Sequence, residues 1–159
     1  MRYVAVVLAF LLGIALGGWL FSDTQPRSFL AVGRCTNCWT LEDLAGLVGS
    51  VVMQRMPRAL PAIEIETDRS VAIRSPLAEG RTHYVIIPKR DIRNVGELAT
   101  GDEAYLIDAY AVIGRLIWDK GLRNYRVFTR GPGGQSVTLL HFHLISNDTP
   151  TRAGSRSGG

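Results

Sequence analysis

Two imidazoles two residues apart, His141 and His143, follow the glycine-rich run Gly131-Pro132-Gly133-Gly134, and this stretch carries the densest chemistry in the chain. On a strand, alternate side chains share a face, so Leu139, His141 and His143 point one way while Leu140, Phe142 and Leu144 point the other. The second set is apolar and reads as the core face. Neutral imidazoles attack electrophiles and exchange protons near neutral pH, and the N–H groups of a glycine turn, those of Gly133 and Gly134 among them, can cradle a phosphate. The same spacing also describes a solvated strand face behind a hairpin loop, and spacing alone does not separate the two. A second group, Cys35-Thr36-Asn37-Cys38, is a local disulfide clip, a thiol redox pair or half of a metal site. Two cysteines exclude a disulfide framework. A redox role would draw on the helix that follows, whose N-terminus lowers a thiol pKa, but a thioredoxin-like domain needs a strand before the motif and only a polar tether precedes it.

The elements that must position these groups follow from periodicity. Thr40 is placed to cap a helix with Glu42 and Asp43 in its first turn, and Leu44, Leu47, Val51 and Val52 repeat at helical spacing until Pro57. Ala62 to Glu66 alternates, Asp68-Arg69-Ser70 turns and Val71-Ala72-Ile73 resumes, which predicts a β-hairpin. Thr82 to Ile87 predicts a third strand, closed by Pro88. From Asn94 to Gly121 the period becomes helical, with Leu106, Tyr110, Ile113 and Ile117 as one stripe. Tyr125 to Phe128 and Gln135 to Ile145 read as the last two strands. The expected architecture is α+β: a five-stranded antiparallel sheet with helices packed on one face.

Ahead of this domain, Tyr3 to Phe21 carries no charge and nearly spans a bilayer core of about 30 Å at about 1.5 Å per residue. A cleaved signal peptide is the rival reading; the run is long for one and lacks an A-x-A cleavage site, so an uncleaved single-pass anchor is expected, with the domain outside the cytoplasm. The expected division is an anchor over 1–22, a tether over 23–34, a domain over 35–148 and a disordered Ser/Gly/Arg-rich tail over 149–159. The domain would comprise the Cys-x-x-Cys and first helix over 35–57 and a core over 61–148. The net charge of +4 is spread along the chain and suits a phosphate ligand or an anionic membrane surface; without a basic stripe interleaved with aromatics, nucleic acid is not expected as a partner.

Two blocks carry a family resemblance over roughly residues 61 to 148. Thr82-His83-Tyr84-Val85-Ile86-Ile87-Pro88-Lys89 resembles the strand ending in Val-Ile-Pro-Lys of the histidine triad (HIT) superfamily, and Gly134-Gln135-Ser136-Val137 with the paired histidines resembles its signature strand. They occur in the family's order with a helix between them. His141-Phe142-His143-Leu144-Ile145-Ser146-Asn147-Asp148 is similar to the aprataxin branch. The resemblance implies nucleotidyl transfer in two steps, with His141 attacking the α-phosphorus of a nucleotide conjugate and water releasing the nucleotide from it. It implies that His143 binds phosphoryl oxygens, that Ser136 donates to the leaving group, and that Gln135 and the amides of Gly133 and Gly134 neutralise charge at phosphorus. The backbone carbonyl of Leu139 would hold the other ring nitrogen of His141.

Three positions depart from the pattern. Leu139 replaces the first triad histidine, a phosphate-binding asparagine falls near Thr129, and the acidic residue that grips ribose falls near Arg74, which would meet another negative group of the ligand. In similar bacterial HIT proteins a Cys-x-x-Cys joins two histidines on zinc, so the resemblance implies Cys35, Cys38 and His83 as ligands, with Leu139 in the fourth place and a substitute ligand or water required. The expected partner is a nucleotide-containing small molecule or a lipid-linked nucleotide, since CDP-diacylglycerol pyrophosphatase is a membrane-anchored relative. A homodimer through the long helix is a further family expectation. The alternative is a degenerate HIT domain that binds nucleotide or phosphate without turnover, and a Cys-x-x-Cys redox protein is the third reading.

Overall fold

The computed structural model describes residues 2–27, 40–75 and 79–149. Cys35, Cys38, most of the expected tether and the tail beyond Thr149 lie outside the described residues. Helix α1 spans Arg2–Phe21, has no buried residue, and is long and apolar enough by length and composition to cross a membrane. Helix α2 spans Leu41–Arg55, and the hydroxyl of Thr40 accepts from Asp43 N at 3.2 Å, the expected cap. Strands β1 (Ile63–Glu66), β2 (Ser70–Arg74), β3 (Thr82–Pro88), β4 (Tyr125–Phe128) and β5 (Phe142–Ser146) form one antiparallel sheet in the order β1-β2-β3-β5-β4, with helix α3 (Glu103–Lys120) between β3 and β4. The α+β class and the five-stranded antiparallel sheet expected from the sequence are found.

Register sorts the side chains onto two faces. Ala72 pairs with Ile86 and Ile86 with Phe142, so these share a face. With Tyr84, Leu140 and Leu144 they pack against Ala109, Val112, Ile113 and Leu116 of α3 in the main core. Val71 pairs with Ile87 and Val85 with His143, on the other face. There Val71, Ile87 and Leu139 pack with Met53 of α2 in a smaller cluster. Thus α3 covers one face, and α2 covers part of the face that carries the histidines.

Several expected boundaries move, for reasons the backbone supplies. The last strand begins at Phe142, not Gln135, because the preceding amides bond elsewhere: Thr138 N donates to Glu42 O of α2, Leu139 N to Val137 O, and Leu140 N to Ile92 O at 2.6 Å. Residues 94–102 are not helical as expected. Asn94 caps a single 3₁₀ turn over Val95–Glu97, and α3 starts only after Asp102. Its stripe is rotated too: Ala109, Val112, Ile113 and Leu116 are buried, whereas Tyr110 is 56% exposed. Gly121 ends α3 with φ 62°, and Leu122 N donates back to Ile117 O.

Helix α2 turns a different side inward than its leucines suggested. Gly46, Ser50, Val51 and Met53 are buried, and Leu44 is exposed. The cause is close approach: a Cβ on Gly46 would lie 2.6 Å from the Thr138 carbonyl oxygen. Residues 23–27, expected as a free tether, are bonded to the domain instead. Gln25 N donates to Asp91 Oδ2 at 2.6 Å, and the Arg27 guanidinium pairs with Asp91 Oδ1 at 2.6 Å, both side chains fully buried. At the end of α1, Arg55 donates to Trp19 O and Ser22 Oγ and pairs with Asp23, each at 2.7 Å.

Candidate active site

The residues just before and within β5 set out the histidines. Phe142 and Leu144 are held in the α3 core, so the alternation of the strand turns His143 onto the opposite face. His83 of β3 lies opposite Ile145, one step along, and its ring meets that of His143 with centroids 5.2 Å apart. His141 stands edge-on to His143 at 4.9 Å. Phe128 of β4, register partner of His143, stacks on it at 4.9 Å and 20°. Arg130, Gly134 and Ser136 complete a cleft of about 150 Å³ around the three imidazoles, with Ser75 and Glu79 at its edge.

Hydrogen bonds fix the tautomers. Leu139 O can only accept, so His141 Nδ1, 2.7 Å away, carries the proton and Nε2 keeps its lone pair. Glu79 N donates to His83 Nδ1 at 3.4 Å, which places the His83 proton on Nε2; that nitrogen donates to His143 Nδ1 at 2.9 Å. The remaining proton of His143 is then on Nε2. This buried atom has no hydrogen-bond partner among the described residues. An N–H donor left without an acceptor costs free energy unless a ligand supplies one, and here it lies beside an imidazole whose lone pair is free.

Electrostatics favour the neutral rings. Burial holds His141 below the ordinary imidazole value, and the charge of Arg130 adds to this against the opposing bond to Leu139 O. Burial likewise pushes His143 down to about 4, with further lowering from His141, His83 and Arg130. At neutral pH both rings are therefore neutral, His141 with a free Nε2 lone pair and His143 with an Nε2–H.

The other expected site residues fall in varied places. Ser136 is exposed and lines the cleft, as does Gly134; Gly133 is exposed and does not. Gln135 is buried below the cleft, where its Nε2 donates to Arg93 O at 3.1 Å. The amide of Gly134, expected to face a phosphate, donates instead to Gly131 O, as does the amide of Gln135. The Thr129 hydroxyl is buried without a partner, outside the cleft lining. Arg74 pairs in register with Tyr84 on the α3 face, so it points away from the histidines, and Ser75 takes the edge of the cleft.

Cys35 and Cys38 lie outside the described residues, and among those described no three His, Cys, Asp or Glu side chains form a metal-binding group. Both ring nitrogens of His83 are engaged in the hydrogen-bond chain, and Leu139 is buried against Met53. Of the three expected zinc ligands, only His83 is among the described residues. Sequence reasoning missed Arg130, Glu79 and Phe128. The only signal for them was position, Arg130 standing immediately before the glycine turn.

Residues 55–158 match the family described as "Scavenger mRNA decapping enzyme C-term binding". An uncharacterized HIT-like protein of Chlamydia muridarum is 32% identical over 83 residues, covering 50% of this chain and 66% of that protein's length. Its counterpart in Chlamydia trachomatis is 31% identical over 83 residues, 50% of this chain and 75% of that protein. Among solved structures, a HIT family hydrolase from Clostridium thermocellum aligns with a TM-score of 0.54 at 31% identity, covering 69% of this chain and 93% of that chain. A HIT family hydrolase from Legionella pneumophila Philadelphia 1 aligns with a TM-score of 0.55 at 26% identity, covering 62% and 93%. The family match extends over well over half of the chain and takes in both histidine-bearing strands, so the chain belongs to this family and carries a HIT superfamily domain.

Proposed function

We propose that the chain is a membrane-anchored nucleotidyl hydrolase or transferase in which His141 attacks the α-phosphorus of a nucleotide conjugate. The observation that carries this reading is the pairing of a free His141 Nε2 lone pair with an unpartnered His143 Nε2–H in one cleft. In the first step the Nε2–P bond forms and the bond from phosphorus to the leaving group breaks. His143 donates to a phosphoryl oxygen, and Ser136 donates to the departing atom, which leaves with a proton. In the second step water adds to phosphorus and returns a proton to Ser136, the N–P bond breaks, and the products are a nucleoside monophosphate and neutral His141. Loss of the first triad histidine does not obstruct this, because the group that orients His141 is the main-chain carbonyl of Leu139.

The helix at the N-terminus and the bonding of residues 23–27 to the domain favour a substrate presented at the bilayer, a lipid-linked nucleotide, with α1 as the anchor. The test uses the full chain in detergent with nucleoside phosphoramidates, dinucleoside polyphosphates and CDP-diacylglycerol. Product should form from at least one of them, with a nucleotidylated peptide containing His141 seen by mass spectrometry, and His141→Ala should lower kcat about a thousandfold or more. Turnover unaffected by His141→Ala would sink the mechanism; binding without product across the panel would favour a ligand-binding domain.

A further inference from the structure

The cleft holds a cation to which no role has been given. Arg130 lines it together with His141, His143 and Ser136, and its charge acts on both histidines. Its guanidinium is placed from two sides. The carbon lies 5.9 Å from the centre of the Phe128 ring, which itself stacks on His143, and Nη2 meets Glu79 Oε1 at 3.3 Å. Arg126 stands over the same ring at 5.6 Å and reaches Glu79 Oε2 at 3.9 Å. Two guanidinium groups thus share one carboxylate, leaving a net positive charge beside the cleft. The three side chains are 46% (Arg130), 50% (Glu79) and 70% (Arg126) exposed, so neither bridge is held by burial and the carboxylate is replaceable at small cost.

We propose that Arg130 binds phosphoryl oxygens of the ligand, and that Glu79 is its resident counter-anion, which the ligand displaces on entry. This rests on the reading of the cleft as a phosphoryl-transfer site and adds a selectivity device to it. A guanidinium offers a planar fork of donors that matches phosphate geometry, and its bonds to an anion are charge-assisted. The incoming group must outcompete a carboxylate already seated there, so a ligand with two or more negative charges near Arg130 is favoured over a singly charged one. The exchange need not disturb the histidines. Glu79 contacts His83 through its backbone N–H, whereas the anion that leaves is its exposed side chain.

The probe is inorganic pyrophosphate, with the full chain in detergent and binding measured by calorimetry at two ionic strengths. Glu79→Gln should bind it about three- to tenfold tighter than the unmodified chain, with a steeper loss of affinity as salt rises. Arg130→Ala should bind it about ten- to a hundredfold more weakly, and Arg130→Lys should restore part of the loss. Equal affinity of Glu79→Gln and the unmodified chain, an unaffected Arg130→Ala, or no binding by any of the four proteins would overturn the proposal. Turnover is read separately on the same samples. The predicted affinity pattern without turnover leaves the anion exchange standing and sinks the transfer reaction; turnover with an altered pattern does the reverse.

Discussion

At the residue scale, one main-chain carbonyl and one ring nitrogen decide what the histidines can do. Leu139 O holds the proton of His141 on Nδ1, so Nε2 keeps its lone pair without any acidic residue. Both rings are held below the ordinary imidazole value of 6.5, His143 at about 4. The acid limb of kcat/KM should therefore fall below pH 6.5, and NMR titration of the imidazoles should show both protonating below that pH. The same shifts act on stability: between about pH 6.5 and 4 the unfolded chain binds protons that the folded chain does not, so stability falls as pH falls through this window. Thermal unfolding across that range checks the sign. Ser136→Ala should lower kcat about a hundredfold with a poor leaving group and less with a good one, as expected of a donor to the departing atom.

At the element scale, the sheet was legible because its strands alternate and its turns are marked by residues such as Asp68 and Pro88. The face of β5 that carries His143 followed from the period of two alone. What could not be read were the places where tertiary bonding overrides local pattern. Residues 135–141 look like a strand, yet their amides are drawn to α2 and to Ile92. Leu44 looks like core, yet a glycine and a serine face inward because the helix must come within touching distance of Thr138. Arg74 stands near the place of the family's ribose-binding carboxylate, but one residue of register separates it from the histidine face. Arg130 and Glu79 meet across 51 residues of chain, a pairing that no local pattern encodes. The close approach of α2 gives its own prediction. Gly46→Ala forces α2 away from backbone atoms and should cost about 1–3 kcal/mol in denaturant unfolding, and it should lower kcat by shifting Leu139 as well.

At the scale of the whole molecule, the buried pair of Arg27 and Asp91 joins the anchor side of the chain to the domain. Asp91→Ala leaves a buried guanidinium without its counter-charge and should destabilise the full chain by about 3–5 kcal/mol. Replacing both partners with apolar residues of similar size should cost less than either single change, as a double-mutant cycle in detergent would show. Asp91 also begins a run of three residues with two further ties. Ile92 O accepts from Leu140 N at 2.6 Å and Arg93 O accepts from the Gln135 side chain at 3.1 Å. A pull on α1 would be shared by Asp91, whose neighbours hold the segment that ends at His141, and by Arg55 of α2, which bonds the end of α1. The residues that follow α1 and the segment that ends at His141 are thus fastened to the same three residues, 91–93.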